Sequence, residues 1–155
     1  MIVVPKFNYT ATGPSGRGFV QLTSRGLIGV RCDKFPHTSI MSDSMELTIE
    51  FDESLTLVCV QVLRALGDMT GAEVKPVSSK NSLQGYAKLF GTGYDMKFKG
   101  EFVFDQIRKI VEVRFCNLDV NQTIQWFDSS FIELAVGGLL VRMVFDLTGA
   151  KDAIF

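Results

Sequence analysis

Hydrophobic and polar residues alternate along two stretches of this chain. Met45, Leu47, Ile49 and Phe51 are separated by Glu46, Thr48 and Glu50, and the same alternation returns over residues 111–115. Such alternation predicts strands with one buried face. In both places the apolar residues further along recur at spacings of three and four, a pattern typical of a helix. The sequence therefore predicts strands followed by a helix twice, over residues 45–70 and 107–136.

Two amphipathic helices are predicted from this spacing. The first runs from about Ser54 to Met69, and its apolar stripe consists of Leu55, Val58, Val62, Leu66 and Met69. Because Val58, Val60 and Val62 also alternate, a strand is the alternative. The second helix starts near Val120, and its stripe consists of Ile124, Phe127, Phe131 and Leu134. It could end at Gly137-Gly138, in which case residues 139–147 form a closing strand.

Further strands are predicted around these helices. Phe19–Thr23 and Leu27–Cys32 flank a short turn that contains Gly26, which favours a hairpin. Residues 83–90, 94–99 and 108–116 supply further strands. We therefore expect an α+β fold, in which a mostly antiparallel sheet carries two main helices on one face as tandem βββα-like units. No linker divides the chain, so residues 1–155 are predicted to form one domain.

Charge and hydropathy narrow the possible partners. The chain has 16 basic and 17 acidic residues and a formal net charge of −1, which gives no electrostatic signal for duplex nucleic acid or an anionic membrane. A charge so near zero favours self-association. No apolar run reaches the roughly 18 residues of a membrane helix, and Met1–Val4 is too short for a signal peptide. We expect a soluble, cytoplasmic protein.

Candidate catalytic and metal-binding residues are few. Cys32, Cys59 and Cys116 form no closely spaced pair, so we expect small buried side chains and neither a disulfide framework nor a zinc site. His37 follows Cys32 by five residues, and the two could form a nucleophile and its base or part of a metal site. A solvated loop histidine is the favoured interpretation. We expect no cofactor, no metal and no enzymatic activity.

Three segments offer possible contacts with a partner or ligand. The glycine-rich segment 13–18 lacks the Lys-Ser/Thr pair and the following helix of a phosphate-binding loop, so a hairpin tip with Arg17 exposed is favoured. Lys97 and Lys99 lie in a basic, aromatic region, but Tyr94 and Phe98 fall on the opposite face of the same strand. Ile154 and Phe155 end the chain, either tucked against its own core or docked into a neighbouring subunit.

The sequence thus favours a non-enzymatic binding or assembly protein that acts through protein–protein surfaces. It would be an adaptor, a structural protein or a subunit of a complex, and its partner would be another protein or a second copy in a homo-oligomer. A viral or accessory origin fits such a chain, as does a cellular adaptor. One alternative is a carrier that holds a small apolar ligand between sheet and helix. A further, less favoured alternative is a single-stranded nucleic-acid binder that uses the basic strands.

Overall fold

Strands make up 53% of the chain and helical turns only 4%, with no helix of seven residues or more in the part that the structure describes. The structure is a computed structural model that describes residues 2–10, 17–79, 81–91 and 96–152, with 151–152 described by their backbone alone. The prediction of an α+β fold with two main helices is therefore wrong.

Fifteen strands are described, and we number them in chain order. They are β1 (Phe7–Thr10), β2 (Gly18–Thr23), β3 (Gly26–Arg31), β4 (Thr38–Met41), β5 (Leu47–Phe51), β6 (Leu57–Val62), β7 (Thr70–Gly71), β8 (Ser82–Gln84), β9 (Tyr86–Leu89), β10 (Glu101–Asp105), β11 (Ile110–Arg114), β12 (Gln122–Phe127), β13 (Ser130–Leu134), β14 (Leu140–Asp146) and β15 (Lys151–Asp152). Short 3₁₀ turns cover Leu66–Asp68 and Val136–Gly138.

The strands form two large sheets and one small one. The six-stranded sheet has the order β15-β2-β3-β6-β5-β4, and the seven-stranded sheet has the order β7-β10-β11-β14-β13-β12-β8. β1 and β9 form a two-stranded antiparallel ribbon. The predicted hairpin around Gly26 is confirmed as β2 and β3.

Both predicted helices are strands. The first covers β6 and the 3₁₀ turn after it, so the alternative based on Val58, Val60 and Val62 is the observed one. The second is the hairpin of β12 and β13, which turns at Asp128 and Ser129. Residues 139–147 contain β14, as the alternative for this segment proposed.

The core lies between the inner faces of the two large sheets. One cluster of buried residues joins Ile49 and Val60 of the six-stranded sheet to Val113 and Phe145 of the seven-stranded sheet. A Cβ atom at Gly29 would lie 2.7 Å from Cε1 of Phe145, so the sheets approach too closely here for any larger residue. Side chains on the opposite, outer faces are then available for other contacts.

The two large sheets repeat one topology. Each contains a hairpin and then a three-stranded meander whose last strand returns to the hairpin, giving β2-β3-β6-β5-β4 and β10-β11-β14-β13-β12. The register repeats as well. Glu50 pairs with Cys59 in the first repeat, and Glu133 pairs with Arg142 in the second; both residues of the second pair lie 83 positions after those of the first. A register shift follows at Phe51 and at Leu134. The two copies predicted from sequence, residues 45–70 and 107–136, do not match this repeat, because β5 corresponds to β13 and β11 corresponds to β3.

The repeats also exchange their last strands. β7 follows the first repeat but pairs in parallel with β10, and β15 follows the second repeat but pairs in parallel with β2. β8, in contrast, covers the free edge of β12, whereas no described strand covers the equivalent edge of β4. In the part of the chain that the structure describes, the two repeats therefore differ at this edge.

Candidate functional site

A segment of the chain crosses the outer face of the seven-stranded sheet. Residues 72–79, which we call the strap, leave β7 at one edge and reach β8 at the other. The backbone N–H of Val74 donates to Oδ2 of Asp105 (3.1 Å), and the N–H of Ser78 donates to Oε2 of Glu133 (2.9 Å). Val74 is fully buried, so the strap packs against this face at that position.

Arg142 joins the strap to the sheet. Its Nη1 and Nη2 atoms donate to the carbonyl oxygens of Lys75 and Pro76, both at 3.0 Å. Nη1 also donates to Oε2 of Glu112 at 2.7 Å, and Nε donates to Oε1 of Glu133. Glu112 and Glu133 are buried, and each needs a cation or several donors to remain charged there.

An open cleft of about 540 Å³ lies beside the strap. Arg114, which donates to Glu112 through Nε, forms one wall with its partly exposed side chain, and Lys75, Asn117 and Asp119 line the rest. The negative charges of Glu112 and Glu133 are balanced by the positive charges of Arg114 and Arg142, and hydrogen bonds from the two arginines engage both carboxylates. The arrangement is therefore suited to holding the strap in place.

The equivalent outer face of the six-stranded sheet has no described strap. One cross-strand row on it consists of Phe19, Val30, Cys59, Glu50 and Ser39, and the next consists of Gln21, Ile28, Gln61, Thr48 and Met41. Cys59 occupies the position of Arg142, and Glu50 that of Glu133. Burial, together with the charge of Glu50, raises the pKa of the Cys59 thiol to about 12, so this thiol is not a nucleophile at neutral pH.

The edge of β4 corresponds to the edge of β12 that β8 covers. In the other repeat, Thr123 donates its backbone N–H to the carbonyl of Asn81 (3.4 Å), and the carbonyl of Gln125 accepts from Gly85 (3.2 Å). Ser39 and Met41 hold the equivalent positions on β4. Ser39 pairs with Glu50 as Thr123 pairs with Glu133, and Met41 pairs with Thr48 as Gln125 pairs with Phe131.

The backbone groups of Ser39 and Met41 consequently point away from β5. The N–H of Ser42, on the alternate side, donates to the carbonyl of Leu47 at 2.8 Å, as the antiparallel ladder requires. Both Ser39 and Met41 are exposed, whereas Ile40 between them is buried. Within the described ranges no strand meets these outward groups.

β4 also lacks the usual protection of an edge. Its residues Thr38–Met41 include no charge, no proline and no bulge, although charges, prolines and bulges are the common means of preventing unwanted pairing. The other outer strands of the large sheets are shorter, with two residues in β7 and β15 and three in β8. The free edge ends at Asp43, whose N–H donates to the carbonyl of Phe98 at 2.9 Å.

Two of the contact residues predicted from sequence lie beside Phe98, where the β4 edge ends. Lys97 and Lys99 are exposed on either side of the buried Phe98. Arg17 is exposed before β2, four strands away from β4 in the sheet order, and its carbonyl accepts from the N–H of Cys32 at 2.6 Å. Ile154 and Phe155 lie outside the described residues. Arg17 therefore does not belong to the same site as the two lysines.

His37 is exposed, and hydrogen bonds to Asp33 hold the segment that precedes it. Asp33 accepts from Nε of Arg31 at 2.8 Å and from the hydroxyl of Tyr86. Burial works to raise the pKa of Asp33, but these hydrogen bonds outweigh it and hold the pKa below its ordinary value. Arg31, itself buried, also donates to the carbonyl of Gly85 at 3.1 Å. These contacts join the six-stranded sheet to β9 and the chain before it.

Potential metal ligands do not cluster in the part of the chain with described coordinates, where no group of three or more His, Cys, Asp and Glu side chains is placed to hold a metal ion. None of the described helical segments has the length and apolar character needed to cross a membrane. Comparison with models of protein families and with curated protein sequences gave no match to this chain.

Sequence reasoning missed the roles of Ser39, Met41, Glu133 and Arg142. Glu133 and Arg142 are single charged residues in otherwise apolar stretches of β13 and β14, which is the signal that a buried ion pair leaves in a sequence. Ser39 and Met41 lie in residues 33–44, a segment in which the alternation of apolar and polar residues predicts no strand. Their importance depends on the absence of a described neighbouring strand, and no local pattern reports that.

Proposed function

We propose that this protein is a non-enzymatic binding protein that accepts an extended segment of a protein partner as an added strand on β4. The observation that carries this proposal is the unequal treatment of two equivalent edges. β8 covers β12, while the matching edge of β4 is uncharged and has no described neighbour. Strand addition gives affinity through backbone hydrogen bonds and selectivity through alternate side chains.

The partner is a second protein or another copy of this chain, since both offer the same backbone chemistry. Sedimentation of the purified protein distinguishes these two kinds of partner. Self-association that depends on β4 indicates another copy, and a monomer that binds foreign peptides through β4 indicates a different protein.

The test replaces one backbone donor. Ser39→Pro removes an N–H that points away from β5, so the bonds between β4 and β5 remain, and proline is tolerated on such an edge. Ser39→Ala keeps the N–H and serves as the matched control. The probe is a displayed library of random linear peptides selected on the wild-type protein.

We expect the selected peptides to bind wild type and Ser39→Ala alike, and to bind Ser39→Pro at least about tenfold more weakly, because the peptide carbonyl loses its donor on burial. Circular dichroism and thermal unfolding confirm that all three proteins are folded. Equal binding to Ser39→Pro, together with self-association unaffected by it, would contradict the proposal.

A further inference from the structure

We infer that the strand bound by β4 runs parallel to it and carries acidic residues directly after its C-terminal end. This inference rests on the proposed function and specifies the partner. It comes from two features of the described chain: the way in which β8 is seated on β12, and the two lysines at one end of the β4 edge.

The orientation follows from the repeated topology. β8 lies parallel to β12, with Ser82 beside Thr123, Leu83 beside Ile124 and Gln84 beside Gln125. On β4 the corresponding positions are Ser39, Ile40 and Met41. Because the outward N–H and C=O groups lie at the same positions in both strands, a parallel segment makes the bonds on β4 that β8 makes on β12.

The side chains define the middle of the bound segment. Ile124 is fully buried and has Leu83 beside it, and Ile40 is 2% exposed at the same place on β4. The partner residue beside Ile40 corresponds to Leu83, which is 39% exposed, so we expect an apolar residue that is only partly covered. Ser39 and Met41 are exposed, so the two neighbouring partner residues face water and are polar, as Ser82 and Gln84 are.

The charge at the end of the edge selects the partner residues that come after the bound strand. The bond from Asp43 to Phe98 closes the edge after Met41, so a parallel strand must leave at this point with its C-terminal end beside Phe98. Lys97 and Lys99 are exposed there near the exposed Asp43, and Lys99 lines a cleft with Glu101 and Arg114, so three cations stand near two carboxylates. The remaining positive charge favours carboxylates in the partner.

The experiment uses three synthetic peptides. Each contains the sequence of residues 81–85, Asn-Ser-Leu-Gln-Gly, which holds β8. The first adds two aspartates after this sequence, the second adds them before it, and the third adds two lysines after it. Binding to the full chain is measured by fluorescence anisotropy at low and at high salt.

We expect the first peptide to bind about fivefold more tightly than the second and more tightly still than the third, with the differences shrinking at high salt. The Lys97→Ala/Lys99→Ala variant should abolish this preference. Arg17→Ala/Arg25→Ala, which removes one exposed cation before β2 and one in the turn between β2 and β3, should retain it.

The outcomes separate this inference from the proposed function. If Ser39→Pro weakens all peptides but the position of the aspartates has no effect, β4 binds strands and the inferred orientation and charge are wrong. If Ser39→Pro changes nothing, the proposed function itself fails. If none of the three peptides binds, a segment of the β8 type does not fit β4, and the inference is overturned.

Discussion

Arg142 shows how a single charged residue can organise an outer sheet face. Its guanidinium group contacts two buried carboxylates and two carbonyl groups of the strap. At the equivalent position the other repeat has Cys59, which offers no comparable donors. The difference in one residue type therefore accompanies the presence of the strap on one outer face and the lack of a described strap on the other.

Replacing Arg142 with methionine tests this role. The change leaves Glu112 and Glu133 buried without the cation between them, and we expect the free energy of unfolding to fall by about 3–5 kcal/mol. Urea unfolding followed by tryptophan fluorescence measures it. Arg108→Met is the control, since its partner Glu73 is exposed, and it should cost about 1 kcal/mol or less.

Adding Glu133→Gln to the Arg142 variant should recover part of the loss, because glutamine is neutral and still accepts from Ser78. A double variant no more stable than Arg142→Met would show that the uncompensated charge of Glu133 is not the cause.

Asp105 makes the free energy of unfolding depend on pH in the acid range. Hydrogen bonds from the backbone N–H groups of Arg108 and Val74 hold its pKa below the ordinary value of 3.8. The unfolded chain regains the ordinary pKa. The stabilisation is therefore complete above that value and is lost as the pH falls below it, through the folded pKa.

Asp105→Asn should be less stable than wild type near neutral pH and should lose less stability on acidification below about pH 4. Urea unfolding at a series of pH values checks this. In Asp105→Asn the free energy of unfolding should still fall on acidification, because the pKa of Asp33 is also lowered. Adding Asp33→Asn should remove this remaining pH dependence. If the free energy of unfolding falls equally with pH in wild type and Asp105→Asn, the pH dependence does not come from Asp105.

At the scale of elements, local patterns predicted the strands with one buried face and failed for those buried on both. β5 keeps a strict alternation, and its position was predicted to within two residues. In β6 both faces are buried except at Gln61, so its apolar run satisfies helical spacing as well as strand spacing. The error arose because tertiary burial, which sequence periodicity cannot report, removed the polar half of the pattern.

The second predicted helix failed for a different reason. β12 and β13 are separated by a tight turn at Asp128 and Ser129, which contains neither glycine nor proline. The register shift between Gln125 and Phe127 buries both Trp126 and Phe127 and so interrupts the alternation. The repeat predicted from sequence pairs the β5 region with the β11 region, whereas the structure pairs β5 with β13 and β3 with β11. The β4 edge was not predicted either, because an edge is defined by which strand does not pair with it.

For the whole molecule, the exchange of strands makes the two repeats depend on each other. Each large sheet receives its last parallel strand from the other repeat, and each inner face is covered by the opposite sheet. The strap extends this dependence, since it follows β7 yet lies on the seven-stranded sheet. Neither repeat contains all that it needs to bury its own apolar surface.

Dividing the chain between residues 80 and 81 tests this dependence. Separate fragments 1–80 and 81–155 each expose one inner face and lack the strand supplied by the other, so we expect neither to unfold cooperatively. Mixed at equal concentration they should recover the circular dichroism of the intact chain, with a midpoint of unfolding that rises with concentration. Introducing Arg142→Met into the second fragment should weaken this recovery, because Arg142 binds the strap carried by the first. A fragment that unfolds cooperatively alone would show instead that one repeat is an independent folding unit.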